Sequence, residues 1–161
     1  MRKIVNPYTG MEGYNCFGCS PDNEHGLQMH FFEDGEYLVS NWEPRGFLQG
    51  YVNVLHGGIQ ATLMDEIASW LVQVKLKTAG VTSEMKIRYL KPVPVNKGSL
   101  NLRAKLVGMR RNLADVHVEL FCPGKKLCAV ADVTYYTFPQ KVAAEKLHFP
   151  AHEKFFEDNN G

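Results

Sequence analysis

The chain has 161 residues, enough for one domain that buries roughly two thirds of its unfolded surface. Its 18 lysines and arginines nearly balance 17 aspartates and glutamates, so the net charge of +1 indicates neither a nucleic-acid partner nor an anionic membrane. No apolar run reaches transmembrane length, and the N-terminal sequence lacks the apolar stretch of a signal peptide. The sequence therefore predicts a cytoplasmic protein.

The first third of the chain predicts an irregular segment followed by two short strands. Residues 1–14 are mixed in character and interrupted by glycine and proline, which predicts a loosely packed lead-in. Residues 27–32 and 37–42 are strand-like, and the Glu33-Asp34-Gly35-Glu36 stretch between them is typical of a hairpin turn.

Cysteine usage leaves two interpretations open. The chain contains Cys16, Cys19, Cys122 and Cys128. In a reducing compartment all four are expected to be thiols. A Cys-x-x-Cys pair also supplies half of a zinc site, with His25 or His30 as further ligands. The second cysteine pair has the wrong spacing to complete such a site, so we predict no metal.

Two adjacent glycines, Gly57 and Gly58, follow His56 and precede a long helical pattern that we predict over residues 58–77. The first N–H groups of a helix have no partner within it, and the helix dipole adds positive character there. A Gly-Gly helix start therefore favours an anion or a developing oxyanion.

The helical pattern has an apolar stripe and a polar stripe. Its large residues recur at helical spacing and predict a core-facing stripe of Leu63, Ile67, Trp70, Leu71 and Val74. The polar stripe consists of Thr62, Glu66, Ser69, Gln73 and Lys77, so Glu66 is expected to be solvated. Asp65 lies on neither stripe, and its helical neighbours are small, which leaves open space above an acidic group.

After the helix the pattern changes to strands. Gly80 is predicted to end the helix as a left-handed cap. Four strand-like runs follow, over residues 81–90, 99–109, 115–122 and 127–137. The tail is predicted to contain a short helix near residues 142–147 and to dock through its aromatic residues, among them Phe149, Phe155 and Phe156. One long helix among antiparallel strands is an α+β arrangement.

His56-Gly57-Gly58, followed by Leu63 and Asp65, resembles the hotdog-fold acyl-CoA thioesterases of the PaaI-like branch. The segments 16–27 and 80–92 are also similar, and the resemblance extends from about residue 16 to residue 137. It implies a hotdog fold, in which a five- to six-stranded antiparallel sheet wraps one long central helix. A single domain over residues 1–161 would then comprise a structural lead-in (1–24), a core (25–138) and a tail (139–161).

The resemblance also implies roles for individual residues. Asp65 matches the helix acid that acts as general base or nucleophile, and Gly57 matches the backbone donor to the thioester oxygen. His56 matches the motif histidine, which shapes the turn or contacts substrate. Thr82 matches a hydroxyl that positions the water or the carboxylate. The predicted substrate-binding residues are Gly58, Lys91, Arg110 and Arg111. The lysine and the two arginines lie in turn-like stretches, where members of the family often bind the nucleotide end of coenzyme A.

The predicted mechanism requires two chains. At 1.5 Å per residue, Gly57 and Asp65 lie roughly 12 Å apart along one helix, too far to act on one thioester. Two chains with antiparallel central helices bring them together, so we expect a homodimer or a dimer of dimers with active sites at the subunit interface. The substrate is then an acyl-CoA, and coenzyme A enters as part of it with no other cofactor.

One departure from the family keeps other functions open. Many active relatives have an asparagine six residues before the motif histidine, where this chain has Gly50. The alternatives are a hotdog hydratase or dehydratase that uses His56 as acid and base, and a non-catalytic acyl-CoA binding module. A zinc-binding interaction module built on Cys16 and Cys19 ranks last.

Overall fold

A computed structural model describes residues 1–157 as one antiparallel sheet of seven strands with a long helix packed against it. The strands are β1 Arg2–Ile4, β2 Phe31–Asp34, β3 Tyr37–Trp42, β4 Gly80–Tyr89, β5 Leu100–Arg110, β6 Leu113–Cys122 and β7 Lys126–Thr137. The helices are α1 Gly57–Leu76 and α2 Gln140–Leu147, with short 3-10 turns at Gly46–Leu48 and His152–Phe155. The order across the sheet is β1-β2-β3-β5-β6-β7-β4, which leaves β4 at an edge.

The predicted α+β class is confirmed, with more strands than the five or six expected. The additional strand is β1, which pairs with β2 through Arg2, Lys3 and Ile4. The lead-in is also packed, because the Tyr8 hydroxyl donates to Gln73 Oε1 at 2.6 Å on α1. The prediction of a loosely packed lead-in is therefore wrong. A three-residue strand is too short to show periodicity in the sequence.

Helix α1 packs its apolar residues against the sheet. The predicted core stripe of five residues is buried throughout, with Leu63, Ile67 and Leu71 at 0% exposure. Burial also extends to Gln73 on the predicted polar stripe, which the lead-in covers. The helix is enclosed by the sheet on one side and by the two ends of the chain on another.

The end of α1 differs from the prediction. The left-handed residue is Lys77, at φ 56°, and not Gly80. Gly80 instead begins β4 beside β7, where an added Cβ would lie 2.3 Å from the Tyr136 carbonyl oxygen. The glycine is required for close strand approach, a function that the sequence pattern does not distinguish from a cap.

Cysteines 122 and 128 form a disulfide across the β6–β7 hairpin, with their Cα atoms 6.1 Å apart. The expectation of four thiols is therefore wrong for this pair. Cys16 and Cys19 are free.

The tail packs on the body as predicted. The aromatic residues Phe149, Phe155 and Phe156 are all buried, and Phe155 contacts Trp70 of α1 edge to face. The short predicted helix is α2. Residues 158–161 of the predicted tail lie outside the described residues.

Phe155→Ala is expected to destabilise the protein by about 3–5 kcal/mol, because it removes a fully buried ring and leaves a cavity beside α1. Urea unfolding followed by circular dichroism measures the change. Phe47→Ala is the matched control, since Phe47 is 70% exposed, and it should shift stability by less than about 0.5 kcal/mol. Equal losses in both variants would contradict the docking of the tail.

No helix within residues 1–157 is both long and apolar enough to span a membrane.

Candidate active site

The N-terminus of α1 exposes backbone donors. His56 is the residue before the helix, and its Nδ1 accepts the Gly58 N–H at 2.9 Å. Within residues 1–157 the Gly57 N–H has no acceptor, while the Gly57 carbonyl accepts from the Tyr89 hydroxyl at 2.8 Å. His56 thus fixes the turn and leaves one peptide N–H available for a ligand.

This helix end opens into a cleft of about 610 Å³, which we call the Gly57 cleft. Its walls include Gly50, Tyr51, Val54, Leu55, His56, Gly57, Gln60, Tyr89, Leu90, Lys91 and Pro92. Of the predicted substrate contacts, the cleft includes Lys91. Gln60 is 4% exposed and donates from Nε2 to the Leu55 carbonyl, but its Oε1 has no partner among the described residues.

Asp65 receives two side-chain hydrogen bonds on the same oxygen. Thr82 Oγ1 donates to Asp65 Oδ1 at 2.9 Å, and the Tyr135 hydroxyl donates to it at 2.5 Å. The tertiary structure therefore brings together Asp65 and Thr82, which the resemblance paired. With Oδ1 held by two donors, Oδ2 is the oxygen left for chemistry.

Tyr135 is the residue that sequence reasoning missed. It is 2% exposed on the inner face of β7, and burial together with the neighbouring Asp65 raises its pKa above the usual range, so it remains a donor. The alternation of β7 predicts an inward side chain at this position. Its pairing with a helix residue far away in sequence has no local signal.

Tyr135→Phe is expected to lower kcat of the proposed hydrolysis about 10-fold while leaving KM within about 2-fold, because Asp65 loses one of its two positioning donors. Steady-state kinetics provides the measurement. Tyr136→Phe removes a hydroxyl from the adjacent, exposed position and should leave both constants unchanged. A rise in KM with an unchanged kcat would instead indicate that Tyr135 contributes to substrate binding and does not position Asp65.

The other three predicted substrate contacts lie outside the Gly57 cleft. Gly58 lines a separate cleft with Phe47 and Ile59. Arg110 ends β5 and Arg111 lies in the turn before β6, and Arg110 makes two hydrogen bonds with Asp115 at 2.7 and 2.8 Å. The bonds from Arg110 and from Thr134 lower the pKa of Asp115 to about 2. The Thr137 N–H donates to the Asn112 carbonyl in this turn, and Thr137 pairs with Gly80 at the start of β4. The turn is therefore on the side of the molecule where Thr82 of β4 contacts Asp65. One chain does not bring these arginines to the Gly57 cleft.

The prediction that Glu66 is solvated is wrong, because its carboxylate faces Cys16 and Trp70. Its Oε1 accepts from Trp70 Nε1 at 3.1 Å and lies 3.4 Å from Cys16 Sγ. Burial raises the pKa of Glu66 to about 7. The sequence pattern missed this contact because the covering segment, which carries Cys16 and Cys19, is irregular.

Comparisons with known proteins connect this geometry to a family. The family model described as the thioesterase superfamily matches residues 52–129, which include Gly57, Asp65 and Thr82. Residues 52–129 are thus similar to the thioesterase superfamily. A Saccharolobus solfataricus protein that is named as an esterase is 29% identical over 95 residues, or 58% of this chain and 62% of that protein. The match thus spans less than two thirds of this curated relative.

Solved structures of thioesterases and thioesterase-like proteins confirm the predicted hotdog fold. A Haemophilus influenzae thioesterase has a TM-score of 0.64 at 21% identity, covering 71% of this chain and 80% of that one. A Streptococcus pneumoniae thioesterase-like protein, solved with coenzyme A, has a TM-score of 0.63 at 23% identity and covers 70% and 87%. Mouse thioesterase superfamily member 2 has a TM-score of 0.61 at 24% identity and covers 68% and 83%. At these identities the likeness establishes the fold of this chain.

Proposed function

We propose that this chain hydrolyses an acyl-CoA to a free acid and coenzyme A, as a member of the PaaI-like branch of the thioesterase superfamily. The observation that carries the proposal is the arrangement of Asp65, whose Oδ1 is held by Thr82 and Tyr135 while Oδ2 remains available. A carboxylate positioned in this way suits a general base or a nucleophile. The coenzyme A bound to the streptococcal neighbour supports the substrate class.

The second component is the free peptide N–H at the helix start. In our mechanism the Gly57 N–H donates to the thioester oxygen and stabilises negative charge as it develops there. Asp65 either takes a proton from water, whose oxygen attacks the carbonyl carbon, or attacks that carbon itself. The carbon–sulfur bond then breaks, and the thiolate of coenzyme A leaves and takes up a proton. In the nucleophilic route water then hydrolyses the anhydride between the acyl group and Asp65, which releases the free acid and restores the carboxylate.

These two components require a second copy of the chain. Gly57 and Asp65 are roughly 12 Å apart along α1 at 1.5 Å per residue. Strand β4 is a sheet edge, and its exposed apolar residues include Val81 and Tyr89, which are 47% and 52% exposed. A partner chain that pairs with this edge satisfies its backbone groups and covers these residues. The arrangement we propose is a homodimer, or a dimer of dimers, with two shared sites per dimer.

The proposed dimer also explains where the predicted cations lie. Lys91 lies with Gly57 in its cleft, while Arg110 and Arg111 lie near the start of β4, the strand that carries Thr82 beside Asp65. A shared site would combine the two sets, one from each chain, around the phosphates of coenzyme A. Arg111 has no ion pair within the described residues, so it is the freer of the two arginines.

Gln60 offers a substitute for the family asparagine that Gly50 replaces. Its Oε1 is buried in the wall of the Gly57 cleft with its hydrogen-bonding capacity unused. In our proposal the Gln60 amide turns toward the cleft, and this oxygen then accepts a hydrogen bond from the attacking water. Water positioning then depends on a helix residue one turn after Gly57.

The hydratase alternative has less support, because the Nδ1 of His56 is occupied by the Gly58 N–H and the ring caps the helix. An acid and base role would be left to Nε2 alone. His56→Ala is expected to weaken the helix start in either case.

The experiment that tests the proposal is coenzyme A release from a panel of short, long and aromatic acyl-CoAs, followed by chromatography so that protein thiols do not contribute. Hydrolysis of one class supports the proposal and identifies the acyl preference. Binding of coenzyme A without release of product from any acyl-CoA would make the chain a binding module instead.

A further inference from the structure

A cluster of three side chains outside the proposed active site brings the lead-in and α1 together. We call Cys16, Cys19 and Glu66 the Cys16 cluster. One donor atom from each lies within 4.8 Å of the other two, and Cys16 Sγ is 3.4 Å from Glu66 Oε1. The proposed hydrolysis uses none of these groups.

We propose that the Cys16 cluster binds one zinc ion. Thiolate and carboxylate are ligands that zinc accepts, at about 2.3 Å to sulfur and about 2.0–2.2 Å to oxygen. Tetrahedral geometry with these bond lengths separates a sulfur and an oxygen ligand by roughly 3.5 Å, close to the Cys16–Glu66 distance. Cys16 and Glu66 are thus already at a zinc-ligand separation, Cys19 Sγ lies within 4.8 Å of both donor atoms, and binding releases the thiol protons to solvent.

Groups around the cluster are arranged to hold anionic ligands. The Tyr14 hydroxyl lies 3.0 Å from Cys19 Sγ, and the Trp70 Nε1–H donates to Glu66 Oε1 at 3.1 Å. Donors of this kind orient metal ligands and offset their negative charge.

Gly18, between the two cysteines, makes room for the carboxylate. A Cβ at this position would lie 2.4 Å from Glu66 Cδ and 2.5 Å from Glu66 Oε2, so the Glu66 carboxylate would have to move away. The glycine in Cys-Phe-Gly-Cys therefore permits the third ligand to approach the two sulfurs.

The fourth position of the zinc ion is open. His25 and His30, the further ligands that the sequence suggested, are exposed and do not join the cluster among the described residues. Cys16 instead lines a cleft of about 460 Å³ together with Tyr14, Ser69 and Gln73. A water molecule from this cleft completes a site of three protein ligands and one exchangeable ligand. The ion would join the lead-in to α1.

The test is elemental analysis of the full chain purified under reducing conditions without chelators, followed by cobalt substitution. We expect about one zinc per chain and a thiolate-to-cobalt charge-transfer band in the near ultraviolet. Cys16→Ser with Cys19→Ser should abolish both signals. Cys122→Ser with Cys128→Ser is the matched control and should retain them, because that pair lies on the β6–β7 hairpin.

Gly18→Ala provides a second test that retains every ligand. We expect it to weaken zinc binding at least ~10-fold, since the added methyl group displaces Glu66. Circular dichroism checks that each variant is folded. A folded wild-type chain with neither zinc nor the cobalt band overturns the proposal, as does a Cys16–Cys19 disulfide found by mass spectrometry. Zinc retained by the Cys16→Ser, Cys19→Ser variant overturns it equally, and none of these outcomes depends on hydrolytic activity.

Discussion

Asp65→Asn is expected to lower kcat for acyl-CoA hydrolysis about 100-fold or more, the loss typical of a missing base or nucleophile. The amide has the same size and its oxygen still accepts from Thr82 and Tyr135, so the fold should be retained. Coenzyme A release under saturating substrate measures the loss. Asp132→Asn is the matched control, because that carboxylate is 75% exposed beside His117.

Activity within a few-fold of wild type in Asp65→Asn would remove Asp65 from the mechanism. If the large loss occurs, a single turnover in ¹⁸O-labelled water distinguishes the two roles. Label in the Asp65 carboxyl identifies a nucleophile, because water then opens an anhydride at the enzyme side. Label confined to the released acid favours a general base.

Gly57→Pro is expected to lower kcat about 100-fold to 1,000-fold by removing the N–H proposed to hold the thioester oxygen. The change suits the local backbone, since proline is favoured at the first helical position and His56 before it has extended angles, φ −55° and ψ 133°. Gly57→Ala is the control that keeps the N–H, and its Cβ would meet Tyr89 at an ordinary 3.5 Å.

The same two variants test whether the site is shared. A mixed dimer of Asp65→Asn and Gly57→Pro chains has one site with both defects and one site with neither. Random mixing makes about half of the dimers mixed, so activity should recover to about a quarter of the wild-type value. No recovery, in a mixture shown to exchange subunits, would mean that Gly57 and Asp65 of different chains do not act together.

Most of the fold was predictable because its elements carry local periodicity. The sequence placed the helix within one residue of α1 at each end, and β3 coincides with the predicted strand at residues 37–42. The alternation of apolar and polar residues in the later strands requires only neighbouring residues, so it can be read without tertiary information. β1 and the cap at Lys77 were missed for the same reason, since neither has a periodic signal.

The candidate site was predictable only in part. The motif identified His56, Gly57 and Asp65, and the resemblance added Thr82. Tyr135, the unpaired oxygen of Gln60 and the inward turn of Glu66 were not foreseen. Each depends on which segment covers a given helix face, which the local pattern does not specify.

By itself, the sequence determined an α+β chain with a Gly-Gly helix start and an acid among small neighbours, because spacing along the chain fixes which residues share a helix face. Only the tertiary structure decided that Tyr135 holds Asp65 and that Cys16 and Cys19 meet Glu66. These contacts join residues 70 and 50 positions apart. Contacts between such distant residues arise when the sheet and the chain ends close over α1, and that closure leaves no local pattern in the sequence.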